Sequence, residues 1–159
     1  MKIDFKKAFL LIICLLIPLT AGFIGSASTV KNIPTWYANL NKPFFSPPNW
    51  IFAPVWTILY IMMGTSLFLI LLRQKTYFTH PIKVFLLHLI VNSFWSIAFF
   101  GMKNPGFGFF VIIVLWGIIY YLIKLFSKID KRASNLLLPY LAWVSFASVL
   151  NLSIWILNK

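Results

Sequence analysis

Residues 36–64 read WYANLNKPFFSPPNWIFAPVWTILYIMMG. The first half, 36–49, is polar and aromatic and carries Pro43, Pro47 and Pro48. Proline fixes φ and lacks a backbone N–H, so this half is not one continuous helix. It reads as a stiff segment delivering the chain into a helix near Trp50. The second half is apolar, long enough to be helical, and holds Trp50, Phe52 and Trp56 after Trp36, Tyr37, Phe44 and Phe45. A rigid aromatic loop entering an apolar helix has two readings. It is the lid and wall of one pocket, or it is an aromatic belt at a membrane–water interface, where Trp and Tyr collect in any case.

The rest of the chain sets the solvent. Of 159 residues, 61% are hydrophobic and only 10% charged, against about a quarter charged in soluble domains. Mean hydropathy is +0.91. A chain this short cannot bury so much apolar surface in a water-soluble core, so the fold class expected is all-α: a polytopic membrane protein in one domain, residues 1–159. The net charge of +12 would point to nucleic acid in a soluble protein. Here the basic residues lie between apolar runs, which is how topology-setting loops are built, so no nucleic-acid partner is expected. Cys14 is the only cysteine and has no internal disulfide partner.

Acidic residues are Asp4 and Asp130 alone. That excludes paired carboxylates for acid–base hydrolysis, a carboxylate cluster for a metal, and the intramembrane Asp or Glu of a proton-coupled pump. The sequence also holds no CxxCH, HExxH, phosphate-binding glycine loop or serine elbow. No metal site is expected.

A spanning helix needs about 20 mostly apolar residues. Five runs qualify: 8–27, 50–72, 82–100, 107–126 and 135–157. The first resembles a signal peptide in its basic start and small-residue end. It is longer than the roughly 7–15-residue apolar core of such peptides, and the reading adopted is a retained helix. Gly22 and Ser26 would let a neighbour approach closely. Residues 28–49 form the long aromatic loop, and the GMKNPG run at 101–106 a tight turn. Five spans place ten basic residues on the N-terminal side (Lys2, Lys6, Lys7, Arg73, Lys75, Lys83, Lys124, Lys128, Lys131, Arg132) and four on the other (Lys31, Lys42, Lys103, Lys159). The positive-inside rule then puts the N-terminus in the cytoplasm.

Polar side chains within spans carry the most information. His88, Asn92 and Trp95 share a helical face, as do Trp143, Ala147 and Asn151, and Trp56, Tyr60 and Gly64. Facing inward, these stripes would line a cavity of flat apolar walls with a few amide donors, the make-up of a small-molecule site. The other reading is packing, with Asn92 and Asn151 bonding neighbouring helices and Gly64 and Ala147 allowing close approach. His88 has the chemistry of a haem ligand, but a single intramembrane histidine is more simply a bundle hydrogen-bonder. Two loose cholesterol patterns, 72–83 around Tyr77 and 115–124 around Tyr120, show mainly how weak that pattern is.

The motifs W-Y-x-x-L-x-K-P at 36–43, P-P-x-W at 47–50 and P-x-W-T-x-L-Y at 54–60 come in order. N-x-x-W-S follows at 92–96 with Phe99 and Phe100, then P-Y-L-x-W-x-x-F-A at 139–147, with Leu150 and Asn151 after it. On a five-span plan this set resembles the tryptophan-rich sensory protein/translocator protein family, also called the peripheral-type benzodiazepine receptor family, over residues 22–158. The resemblance implies a five-helix bundle, commonly a homodimer, with a pocket closed by the first loop. It implies ligands such as protoporphyrin IX and aromatic drugs of the benzodiazepine and isoquinoline carboxamide types, with no cofactor required.

Carried to matching positions, the resemblance implies ligand-binding residues Tyr37, Pro43, Trp56, Asn92, Trp95, Trp143, Phe146, Ala147 and Asn151. Lys31 or Lys42 would supply a basic rim for propionates. The function implied is a membrane receptor or sensor for tetrapyrroles, in a bacterial cell membrane. Two alternatives stand beside it: a light-dependent porphyrin-degrading enzyme with Trp56 and Trp143 as electron donors, and a porphyrin or lipid transporter. One departure is plain. Residues 149–159 read VLNLSIWILNK, with no Tyr, so the steroid motif of the animal members is missing there.

Overall fold

The computed structural model describes residues 4–74, 76 and 78–159. The charges assigned to Lys2 and Lys75, and the cholesterol-like pattern around Tyr77, lie outside the described residues. Among those described, the structure is all-helical, with five helices long and apolar enough to span a membrane.

Helix α1 runs Phe5–Asn32, further at both ends than the apolar run 8–27. Asp4 caps it by accepting from the Lys6 backbone N–H, and the last turns stay helical, with Thr29 donating to the Gly25 carbonyl and Asn32 to the Ser28 carbonyl. The loop therefore begins at Ile33 rather than at 28. It holds a short 3-10 turn, Tyr37–Asn39, and a second at Asn49–Ile51, where Pro48 in extended conformation hands the chain to the helix. Helix α2 is Phe52–Leu71, with Pro54 in the first turn, where its missing N–H costs nothing.

Helix α3 is His80–Ser96 and continues as a π-helical turn, Ile97–Gly101, closed by the Met102 N–H donating to the Ile97 carbonyl at 2.8 Å. The tight turn that follows places Lys103 at φ 52°, a left-handed conformation uncommon outside glycine. Asn104 then caps α4, Pro105–Ser127. Asp130 caps α5, Lys131–Leu136, which runs on through Leu137 into α6, Leu138–Leu157. Together α5 and α6 make the fifth span.

The helices close a ring in the order α1, α2, α5/α6, α4, α3. Pro18 lies inside α1 and provides no N–H for the Cys14 carbonyl one turn back. Gly64 of α2 presses against that carbonyl: a Cβ there would sit 2.6 Å from Cys14 O and 2.7 Å from Leu15 Cα. The α1–α2 seam thus depends on a missing side chain. Hydroxyls tie other seams. Ser66 donates to the Ala133 carbonyl at 2.7 Å, Ser134 to Ile123 at 3.1 Å, and Ser93 to Ala21 at 2.8 Å. With no water in the bilayer core, each bond satisfies a group that has no other partner.

An aromatic cavity beneath the first loop

The ring is filled at the N-terminal end by Leu67, Ile70, Phe85 and Phe126, but at the other end it encloses a cavity of about 380 Å³, within the roughly 300–1,000 Å³ range of small-molecule sites. Trp56 and Tyr60 of α2 are stacked at 5.6 Å between ring centroids, and Trp56 lies 6.2 Å from Trp95 of α3. Both tryptophans line the cavity, as do Trp143, Ala147 and Asn151 of α6. The π turn adds Phe99 and Phe100. Its i→i+5 bonding packs more residues into a turn, so consecutive side chains differ less in direction and two adjacent phenylalanines face one space.

The loop covers this end. Tyr37 is 2% exposed and packs on Phe99 and Phe100 at 6.2 and 5.5 Å, beside Trp36 on the same two rings. Burial raises the Tyr37 phenol above its ordinary pKa. A clasp fastens the loop to the end of α6. The Asn158 side-chain oxygen accepts from the Asn41 backbone N–H, and its amide donates to the Asn41 carbonyl, both at 2.9 Å.

Six of the nine residues expected at the site line the cavity: Tyr37, Trp56, Trp95, Trp143, Ala147 and Asn151. Three do not. Pro43 braces the loop, its carbonyl accepting from the Ser46 N–H at 3.0 Å. Phe146 lies behind Trp143, packed against it at 5.5 Å and against Phe45 at 6.3 Å. Asn92 is buried one layer out, where its oxygen accepts from the Tyr60 hydroxyl at 2.8 Å and its amide donates to the Tyr140 hydroxyl at 2.9 Å. This side chain ties α2, α3 and α6 together, and the packing reading describes it. Asn151 does both jobs. It faces the cavity, while its oxygen accepts from Trp95 Nε1 at 3.2 Å and its amide donates to the Pro105 carbonyl at 2.6 Å. Neither amide is the open donor that the stripes suggested.

Three of the cavity hydroxyls are similarly committed. Ser26, Thr29 and Thr57 each donate to a carbonyl of their own helix. Trp143 Nε1 differs: it is buried with no hydrogen-bond partner. The rim also differs from expectation. Lys42 Nζ sits 4.9 Å above the Tyr37 ring and donates to the Ala38 and Leu40 carbonyls, so it holds the loop's shape, whereas Lys31 is exposed. His88 is fully buried outside the cavity lining, with Nδ1 bonded to the Phe85 carbonyl. Among the described residues no three His, Cys, Asp or Glu side chains gather.

One wall was not foreseen. Helix α1 contributes Leu19, Gly22, Phe23, Ser26 and Val30 among others, with Ile33 just past its end, and a Cβ on Gly22 would strike the Tyr60 ring. Phe23 and Val30 also remain 76% and 66% exposed, so the cavity reaches the apolar surface along α1. The signal was present in the 4-3-4-3 spacing of Leu19, Phe23, Ser26, Val30 and Ile33, which is one helical face.

Five helices long and apolar enough to span a membrane, ringed around an aromatic cavity under a packed loop, define a polytopic membrane protein with an internal cavity. Residues 14–156 match the model of the TspO/MBR family, and the chain belongs to that family. It is 43% identical to the tryptophan-rich protein TspO of Chlorobaculum tepidum, over 96% of this chain and 98% of that protein. It is 42% identical to the Archaeoglobus fulgidus protein of the same name, over 93% and 96%. The similarity extends to the translocator protein of Ovis aries, 33% identical over 88% of this chain and 85% of that protein.

Proposed function

We propose that this protein is a membrane receptor for tetrapyrroles of the protoporphyrin IX type, and for flat aromatic drug-like molecules, bound in the cavity beneath the first loop. The observation that carries the reading is the wall chemistry. Trp56, Trp95, Trp143, Phe99 and Phe100 offer π surfaces at several angles around one space, and each well-placed aromatic contact adds about 0.5–1.5 kcal/mol beyond area burial. We further infer a homodimer in a bacterial cell membrane, with the basic N-terminal face in the cytoplasm.

A second reading, light-dependent porphyrin degradation, draws on the contact of Trp56 with Tyr60, Trp95 and Tyr140, all within 6.2 Å between ring centroids. Such a cluster would share an electron vacancy left on Trp56 by an excited porphyrin.

Titration of the purified protein with protoporphyrin IX in detergent, followed by tryptophan quenching in the dark, tests the first reading. Saturable quenching is expected, weakened at least tenfold in Trp143→Ala with helicity unchanged. Absence of saturation removes the tetrapyrrole assignment. Illumination of the complex separates the two readings: a stable porphyrin band supports a receptor, and a protein-dependent loss of the band that is abolished in Trp56→Phe supports the enzyme.

A further inference from the structure

The end of the bundle away from the loop carries a second, smaller cavity of about 260 Å³, lined by Lys7, Arg73, Asp130 and Arg132 and floored by Leu69 and Leu72. It lies where the start of α1, the end of α2 and the turn before α5 meet. Asp130 organises it. Its side chain is 5% exposed, while those of Arg73 and Arg132 are 58% and 70% exposed. The carboxylate accepts from Arg73 Nε at 3.3 Å, from Arg132 Nε at 3.3 Å and from Arg132 Nη2 at 3.1 Å, and also from the Arg132 backbone N–H at 2.8 Å. One buried carboxylate thus holds the Arg132 guanidinium by its Nε–Nη2 edge and Arg73 through Nε alone, leaving their remaining N–H groups for a further acceptor. Lys7 adds a third cation, itself 3.3 Å from the exposed carboxylate of Asp4.

We propose that this groove binds the phosphate of an anionic phospholipid in the leaflet at the N-terminal face. Three cations line the groove against Asp130 in the lining and Asp4 beside Lys7, which leaves one positive charge in excess. Guanidiniums present paired N–H groups that match phosphate oxygens. The groove lies at the end of spanning helices, at headgroup depth, and its Leu69 and Leu72 floor begins the apolar surface along which acyl chains run. Leu72 is 43% exposed, open to such a chain. A free phosphate shares the headgroup chemistry but gains nothing from that floor, so the lipid is the occupant assigned.

Native mass spectrometry of the delipidated full-length protein, titrated separately with phosphatidylglycerol, phosphatidylcholine and inorganic phosphate, tests this. One phosphatidylglycerol should be retained per chain at a concentration at least about tenfold below that needed for phosphatidylcholine. Arg73→Gln with Arg132→Gln should remove that preference, and Lys103→Gln at the opposite end should leave it intact. Arg73→Lys with Arg132→Lys keeps charge and loses the fork. It guards against a variant that fails to fold, and should weaken retention severalfold. Equal retention of both lipids, retention unaltered in either arginine variant, or inorganic phosphate competing as well as phosphatidylglycerol overturns the assignment.

Discussion

The two ends of this bundle are made by opposite means. At the loop end the walls are aromatic, the Ser26, Thr29 and Thr57 hydroxyls turn back into their own helices, and a cavity stays open. At the N-terminal end the space between helices is filled by Phe85, Phe126, Leu67 and Ile70, all buried, and hydroxyls bridge neighbours: Ser66 to Ala133, Ser134 to Ile123. The same five helices serve both ends. The difference shows that rings alone do not open a bundle: Phe85 and Phe126 stack nearly parallel at 6.1 Å and fill their end, whereas Trp56 meets Trp95 and Tyr140 at 31° and 67° beside the cavity.

Substitutions that move one end toward the character of the other put this to the test. The largest effect is expected at the seam between them. Gly64→Val drives a side chain into the Cys14 carbonyl and the Leu15 Cα, where backbone must move, and should cost about 3 kcal/mol, read as a fall in melting temperature in detergent. An unchanged melting temperature would mean that the α1–α2 approach is not tight. Asn92→Ala comes next. It strips partners from the Tyr60 and Tyr140 hydroxyls and should cost about 1–2 kcal/mol, while porphyrin affinity falls only a fewfold because Asn92 is outside the cavity. A tenfold or greater loss of affinity at full stability would make Asn92 a binding residue after all.

Asn158→Ala opens the clasp on Asn41. The expected cost is ~1 kcal/mol or less, with faster hydrogen exchange at the Asn41 amide and faster ligand entry and exit. Exchange unchanged at Asn41 would show that the clasp does not hold the loop.

The smallest effect belongs to Asp130, whose arginine partners are largely in solvent and screened. The Arg132 guanidinium, with Arg73 beside it, holds the Asp130 carboxyl well below the usual carboxylate range. A carboxyl depressed on folding stabilises fully above its unfolded pKa of about 3.9 and loses that contribution as pH falls toward its folded value. The melting difference between the wild type and Asp130→Asn should therefore be constant from neutral pH to about 5 and shrink only below about 4. A difference that shrinks already between pH 7 and 5 would contradict the ion pairs.

Hydropathy made the five spans legible, because a bilayer leaves few alternatives for long apolar runs. Their ends were less so: Ser28, Thr29 and Asn32 look like loop in composition yet extend α1, where the Thr29 and Asn32 side chains bond back to the Gly25 and Ser28 carbonyls. The tryptophan walls were legible from three- and four-residue spacing, and Trp56, Trp95 and Trp143 do meet at one cavity. Spacing alone did not tell Asn92 from Asn151. Both share a face with a tryptophan, and a rotation of a few tens of degrees decides whether an amide meets the cavity or a tyrosine behind it. Pro43 and Phe146 carry motif positions whose structural work is one layer away from the space itself. The α1 wall escaped notice because an aliphatic run in a membrane protein looks the same whether it faces lipid or a cavity.

The commitment of both asparagine amides to neighbouring side chains and backbone has a bearing on selectivity. A site rejects an imperfect guest strongly only when that guest would strand a buried donor or acceptor; hydrophobic walls alone discriminate by about 1–3 kcal/mol for a methylene. Here Asn151, Ser26, Thr29, Thr57 and Tyr60 already have partners, and the rest of the wall is mostly aromatic and aliphatic. The chamber is therefore a poor judge of functional groups and a fair judge of shape, and flat molecules of quite different parentage should compete for it within a narrow band of affinities.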